Sequence, residues 1–340
     1  MLILSNCFTD VLDEGCLKVA NSLVKRLKAA DKSVRVVSFE RESGLSDIHL
    51  KLNKLFLNRS LVTEICKTRE PVLYIPFPAK VVSMVIRTCI LSLFARKKLY
   101  VLFSMTGEYT ALTKMLLRLS GAHIFALSES AAQYYMDIVG ESRVTYLKTG
   151  VDTKRFVPVL PERSSELKVK YGIDPSKKTI LHVGHLKEGR NIAQLMKLDP
   201  SYQVLLVVST LTKSEQDSGL RKQLEEHPNI RIIDSYIPDI QEIYQLSDAY
   251  FFPVTDSSNC IEVPLSVLEA AACGKPAVTT DFGELKCFEG KEGFFFIDSF
   301  NTEDLNALTE QALAQGGGNV RDAVLPYDWA HAVEKIKNLD

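Results

Sequence analysis

Residues 260–288 read CIEVPLSVLEAAACGKPAVTTDFGELKCF, and this stretch decides the fold. It divides into a loop, a helix, a Gly-Lys-Pro turn, a short buried strand and a second glycine-bearing loop. Leu265, Leu268, Ala272 and Cys273 set an apolar stripe at helical spacing, with Glu269 inside the helix. Gly274 is expected to end the helix in the left-handed conformation, and Pro276 blocks its continuation. Ala277-Val-Thr-Thr280 suits a strand buried in a parallel sheet. A helix N-terminus opening from a loop attracts phosphate, and a carboxylate on that helix can accept hydrogen bonds from sugar hydroxyls. The plainer alternative is an ordinary α/β turn with a solvated glutamate.

Working outward, 340 residues suit two domains of roughly 150 residues each. Apolar content of 46% and charged content of 24% are those of an ordinary globular chain. No secretory leader is read in Met1-Leu-Ile-Leu, which Ser5-Asn6 interrupts at once. No apolar run reaches the roughly 20 residues that span a bilayer. The seven cysteines are scattered and never in a CxxC pair, which argues for reduced thiols and a cytoplasmic setting, and against a zinc site. The net charge of −1 hides an asymmetry. Residues 1–155 hold 23 Lys and Arg against 14 Asp and Glu, whereas residues 156–340 hold 18 against 28. A basic half can face an anionic acceptor or the inner face of a membrane; a solvated basic face is the default. Nothing points to nucleic acid.

Strands and helices alternate twice over, which predicts two parallel sheets flanked by helices. Predicted strands begin at Met1, Val34, Val72, Lys98, Ala122 and Val144 in the first half, and at Thr179, Gln203, Ile230, Ala249, Ala277 and Gly293 in the second. A helix is expected over Leu50–Lys67, a linker over Pro158–Glu166, and a flexible break at Gly316-Gly-Gly318. The segment 80–98 carries Val81, Val82, Val85, Ile86, Cys89, Ile90, Leu93 and Phe94 among Arg87, Arg96, Lys97 and Lys98. It reads as a core-facing helix with a basic end in preference to a membrane-surface helix.

The stretch at 260–288 resembles the nucleotide-sugar site of retaining GT-B glycosyltransferases, family 4 in particular, with its E-G-F-P-L-x-x-L-E-A-M-A-C-G-x-P-V-V-x-x-x-x-G pattern. Three further segments match in the same order. Tyr146-Leu-Lys-Thr-Gly-Val-Asp-Thr-Lys-Arg-Phe-Val-Pro158 is similar to P-N-G-V-D-x-x-x-F-x-P. Ile180-Leu-His-Val-Gly-His-Leu-Lys-Glu-Gly-Arg-Asn-Ile192 is similar to V-G-R-L-x-x-x-K-N-I, and Tyr327-Asp-Trp329 to F-S-W. The resemblance implies an α/β chain of two Rossmann-like domains facing a cleft. It implies an acceptor domain over 1–157, a nucleotide-sugar domain over 158–326, and a last helix, 327–340, packing back on the first.

The activity implied is transfer of a sugar from a nucleoside diphosphate, with UDP the first choice, to a glycan or lipid-linked acceptor. No separate cofactor is implied. The family's Arg and Lys positions hold His185 and Arg190 here. Arg190 keeps the charge and gains a bidentate fork for the diphosphate; a protonated His185 adds a donor. Glu269 matches the ribose-binding glutamate. Eight positions before it stands Ile261 where the family has an acid, with Glu262 one residue late. Either Glu262 substitutes, or the sugar is held by backbone around Ile261, Val263, Pro264 and Leu265. Tyr236, Ile237 and Pro238 match the segment lining the base, and Gly184, Ser209 and Thr210 stand at strand exits near the phosphates. In the first half, Gly15 would let backbone approach the donor and Glu108 is a candidate acceptor-side base. No catalytic histidine carries over there. The chain contains no Asp-x-Asp, so no metal is expected.

Two rivals stay open. One is a weak or inactive module of the same fold that binds nucleotide sugar or a protein partner. The other is an α/β enzyme of another class, such as an epimerase or an oxidoreductase, though no G-x-G-x-x-G follows the first strand.

Overall fold

A computed structural model of the chain describes residues 1–6, 8, 14–39, 43–52, 58–77, 82–96, 98–187, 189–209, 217–256 and 260–338. It divides into two compact units, Met1–Thr149 with Trp329–Asp340, and Gly150–Asp328.

The first unit is one seven-stranded sheet in the order β3-β2-β1-β4-β5-β6-β7, every pairing parallel. The strands are β1 (Leu2–Ser5), β2 (Arg35–Phe39), β3 (Ile48–Leu50), β4 (Val72–Ile75), β5 (Leu99–Phe103), β6 (His123–Ala126) and β7 (Val144–Tyr146). All residues of β1, β4 and β5 are buried, as befits parallel strands covered on both faces. Among the described residues, five α-helices run between them: α1 (Gly15–Ala30), α2 (Arg59–Lys67), α3 (Val82–Phe94), α4 (Ala111–Leu119) and α5 (Glu129–Val139). Local chemistry starts three of them. Asn58, Thr110 and Ser128 each accept a backbone N–H of the first turn through the side chain.

The second unit repeats the plan with six parallel strands, ordered β10-β9-β8-β11-β12-β13. They are β8 (Thr179–Gly184), β9 (Gln203–Val208), β10 (Ile230–Ile233), β11 (Ala249–Phe252), β12 (Ala277–Thr279) and β13 (Phe294–Phe296). The chain fills one side from β8 outward and then returns to β11 on the other. The order therefore reverses between β8 and β11, and open α/β sheets bind ligands at the carboxyl ends there. The helices are α6 (Pro161–Lys170), α7 (Ser218–Glu226), α8 (Ile240–Leu246), α9 (Leu265–Ala272), α10 (Thr302–Gln315) and α11 (Val320–Val324). Arg321 on α11 donates to the carbonyls of Thr153, Phe156 and Ala272. A cation thus closes the C-terminal end of α9. The last helix, α12 (Trp329–Lys337), packs on α1, where Arg26 covers the Trp329 ring.

The structure corrects four local expectations. The helix expected over Leu50–Lys67 is a short edge strand, β3, and then α2, with 53–57 outside the described residues. Two thirds of the expected linker is helix, because Pro161 occupies the first turn of α6, where its missing N–H costs nothing. Ile192–Leu198, where the strand–helix alternation after the Thr179 strand predicts a helix, forms 3-10 turns over Ile192–Lys197. The triple glycine is a packing site: at Gly317 a Cβ would overlap the carbonyl oxygen of Gly274. Helix α3 is core-facing through Met84, Val85, Thr88 and Leu91, but it also leaves Val82, Ile86 and Leu93 exposed.

Candidate active site

The site is built where β8 and β11 end. β8 closes on Gly184, whose carbonyl accepts the amide of Ser209 at the exit of β9 (3.2 Å). Half-buried His185 follows. The chain then turns back, with Arg190 N–H bonded to the Lys187 carbonyl, and Asn191 adopts a left-handed φ of 53°. Asparagine tolerates that conformation. Its side chain donates to Pro253 O (3.1 Å) and Thr255 Oγ1 (2.9 Å), tying this turn to the exit of β11. Arg190 is thereby folded in and only 4% exposed, and its Nη2 reaches Cys260 Sγ at 3.8 Å. Burial raises the Cys260 thiol pKa, against the pull of Arg190.

Beneath Arg190 lies a residue that the motif reading passed over. His182, on β8, is fully buried, and its Nδ1 bonds the Phe251 carbonyl on β11 at 2.8 Å. Its ring stacks on Tyr250 and Phe252. Burial, then the charge of Arg190, push its pKa down to about 3. A polar ring inside an otherwise apolar strand was the signal available in the sequence.

The loop before α9 carries Ile261, Glu262, Val263 and Pro264. Ile261 and Val263 are buried and Glu262 is half-exposed. The Glu262 carbonyl accepts the amide of Glu284 at 2.8 Å; the second glycine-bearing loop is here a 3-10 segment, Gly283–Phe288. Pro264 precedes Leu265 at the start of α9 and offers no side-chain cap, so the first amides of this helix have no such partner. One to two turns on, Glu269 is 2% exposed. It lies against Tyr244 of α8, whose hydroxyl pKa is driven well up by burial and by this carboxylate. Glu269 and Arg190 both act electrostatically on Tyr250, so the two charges share one neighbourhood.

Exposed Tyr236, half-buried Ile237 and exposed Pro238 follow β10. Arg155 donates to the Pro238 carbonyl and to Gln241 Oε1 (2.8 Å), an anchor that the motif match did not name. Thr210 lies outside the described residues.

Gly15 and Glu108 belong to the first unit. Gly15 opens α1. Exposed Glu108 stands in the loop after β5, where Tyr134 donates to the Gly107 carbonyl (2.8 Å). The same unit also holds Asn6, whose amide exchanges two bonds with the backbone of Phe77 (2.6 and 2.9 Å), and Ser104, which donates to Cys16 Sγ (3.3 Å). No group of three His, Cys, Asp or Glu able to hold a metal occurs among the described residues.

Residues 177–315 match the model of the family described as Glycosyl transferases group 1. Over the whole chain, the fold is that of solved glycosyltransferases. A glycosyltransferase from Rickettsia africae superposes with a TM-score of 0.77 at 15% identity, over 99% of this chain and 96% of that one. Alr3699/HepE from Anabaena, solved in complex with UDP and glucose, gives 0.74 at 15% identity, over 99% and 98%. WaaG, a glycosyltransferase involved in lipopolysaccharide biosynthesis, gives 0.61 at 15% identity, over 100% and 96%. No curated protein matches the sequence. The chain thus has the GT-B fold of those structures, built from two Rossmann-like domains, and its residues 177–315 match the group 1 glycosyltransferase model. The matched stretch lies within the second unit, and the residues of the strand-end site fall inside it.

Proposed function

We propose that the protein is a retaining, metal-independent glycosyltransferase that moves a sugar from a UDP-sugar to a glycan or lipid-linked acceptor. The observation that carries this reading is Arg190: a guanidinium folded in beside Gly184 at the point where strand order reverses. A fixed guanidinium suits a departing diphosphate, whose growing charge it meets with bidentate N–H donors. His185 adds a second donor, and the start of α9 adds backbone amides and a positive dipole end. Glu269 takes the ribose hydroxyls, the backbone of Ile261, Val263, Pro264 and Leu265 takes the sugar, and Tyr236, Ile237 and Pro238 line the base. Ser209 flanks the phosphates. The choice of UDP is supported by the Anabaena relative, which was solved with UDP.

The domain over 158–326 is assigned to the donor and that over 1–157 to the acceptor. In the latter, Gly15 admits backbone to the phosphates and Glu108 receives the acceptor proton. Without Glu108, a leaving phosphate oxygen can take that proton on the same face, which preserves the anomeric configuration.

A peripheral contact with a membrane's inner face is proposed for α3 and α4. Val82, Ile86, Leu93, Leu112, Met115 and Leu119 are exposed there, and neither helix contains an acid. No helix among the described residues is long and apolar enough to cross a membrane. Ile261 favours a second reading: a module that binds nucleotide sugar, or a protein partner, without transfer. It is a buried apolar residue where a sugar-holding acid was sought. Incubating purified protein with UDP-, GDP-, ADP- and dTDP-sugars separates the two. Nucleotide release with a sugar-bearing product of unchanged anomeric configuration supports transfer; binding with no release at all supports the module.

A further inference from the structure

The bond from His182 Nδ1 ends on the Phe251 carbonyl, and a carbonyl has no proton to give. Nδ1 therefore carries the ring proton. Burial and the nearby guanidinium keep a second proton off, so the imidazole is neutral and Nε2 is a bare acceptor. That nitrogen is buried and meets no hydrogen-bond partner among the described residues. A buried acceptor left without a donor is costly, so the site must supply one when it is complete.

The space that Nε2 faces is defined by Gly184. A Cβ at Gly184 would lie 3.1 Å from His182 Nε2, 3.2 Å from Arg190 Nη2 and 3.4 Å from Arg190 Cζ. The ring nitrogen and the guanidinium thus look into the same gap, which is open because residue 184 has no side chain. Gly184 has no left-handed φ, so space and not backbone conformation is what the glycine provides. Phosphate oxygens are acceptors and cannot satisfy Nε2; a guanidinium N–H can.

We propose that His182 is a positioning residue for Arg190: with donor bound, Nε2 accepts one guanidinium N–H and turns the rest of the fork onto the diphosphate. This rests on the reading of Arg190 as the diphosphate ligand. His182 itself touches no substrate. It transmits the rigidity of the β8–β11 pairing to a long side chain, and Gly184 keeps the path open.

The test compares UDP with uridine as calorimetric probes of the purified full chain. His182→Asn retains a donor for the Phe251 carbonyl and removes the acceptor at Nε2. His182→Gln restores an acceptor at that reach. Gly184→Ala keeps the histidine in the chain and fills the gap. His182→Asn, Gly184→Ala and Arg190→Ala should each weaken UDP about tenfold, the worth of one charge-assisted hydrogen bond, and leave uridine unchanged. His182→Gln should recover most of the loss. The double variant His182→Asn with Arg190→Ala should be no weaker than Arg190→Ala alone.

Full UDP affinity in both His182→Asn and Gly184→Ala overturns the proposal. So does an equal loss for uridine, or additive losses in the double variant. If Arg190→Ala binds UDP normally, the diphosphate reading of Arg190 has failed, and that result is distinct from an intact Arg190 effect without coupling to His182. Should His182→Asn fold poorly, Gly184→Ala decides the matter with the histidine in place.

Discussion

The backbone of Gly283 lies directly over the carbonyl oxygen of Glu262, and the next amide, Glu284 N–H, donates to that same oxygen at 2.8 Å. Gly283 has a left-handed φ of 54°. The loop that leads into α9 is therefore clasped by a second loop, through a contact that only glycine permits.

Gly283→Ala should accordingly displace the 261–264 loop. The left-handed backbone costs about 1 kcal/mol for alanine, and the Cβ must also clear the Glu262 carbonyl. A lowered urea midpoint together with weakened UDP-sugar binding is expected. An unchanged midpoint and unchanged donor affinity would show that the clasp is dispensable.

Glu269→Gln keeps the volume of a side chain that is 2% exposed and removes its charge. Loss of a charged acceptor for ribose hydroxyls should weaken nucleotide binding by about 1.5–3 kcal/mol. Calorimetry with UDP measures it, and full affinity in this variant excludes the ribose role. Glu269→Ala should in addition lower the melting temperature, because it leaves a void at a position only 2% exposed.

Acid should destabilise the fold through two histidines. Burial and Arg190 hold His182 down to about 3. Burial, then Lys98 and Arg143, hold His123 down to about 4. Unfolded, both titrate near about 6.5. Above that pH neither state gains a proton and the terms vanish. Below it the unfolded chain binds protons that the folded chain refuses, so stability falls until the folded pKa values are reached. His182 alone should cost about 2 kcal/mol by about pH 5. Urea unfolding at neutral and acid pH checks this, and the acid loss should be smaller in His182→Asn. Equal losses in wild type and variant would count against a buried neutral His182.

Transfer should continue in excess EDTA, because the sequence has no Asp-x-Asp and the proposed diphosphate contacts are cations and amides. Activity lost to chelator and restored by Mg²⁺ or Mn²⁺ would refute metal independence.

Leu93 and Leu119 are 79% and 74% exposed on adjacent helices. Replacing both with serine should cut sedimentation with phosphatidylglycerol vesicles several-fold while nucleotide binding persists. Binding by wild type should weaken with added salt, since Arg87, Arg96, Lys98, Lys114 and Arg118 lie on or beside these helices. No vesicle binding by wild type removes the membrane contact.

Much of the candidate site was legible because its signals are local. Gly274 has the left-handed φ expected of a helix terminator, at 73°. Arg190 and Glu269 were singled out by their places in motifs that resemble the family's, and both are buried in the second unit. The edge strand β3 was missed because three half-buried residues set no period. The glycine run at 316–318 was misread because close packing and flexibility call for the same residue.

By itself the sequence determined the alternation of strands and helices, the two parallel sheets and the order of the motifs. Each follows from periodicity and turn chemistry within a few residues. Only the tertiary structure decided the tautomer of His182, the clasp of Gly283 on Glu262 and the hold of Arg155 on Pro238. Those features join residues 69, 21 and 83 positions apart. No pattern within a short window records which distant carbonyl a side chain will meet; that is set when the strands pair and the loops at their ends are brought together.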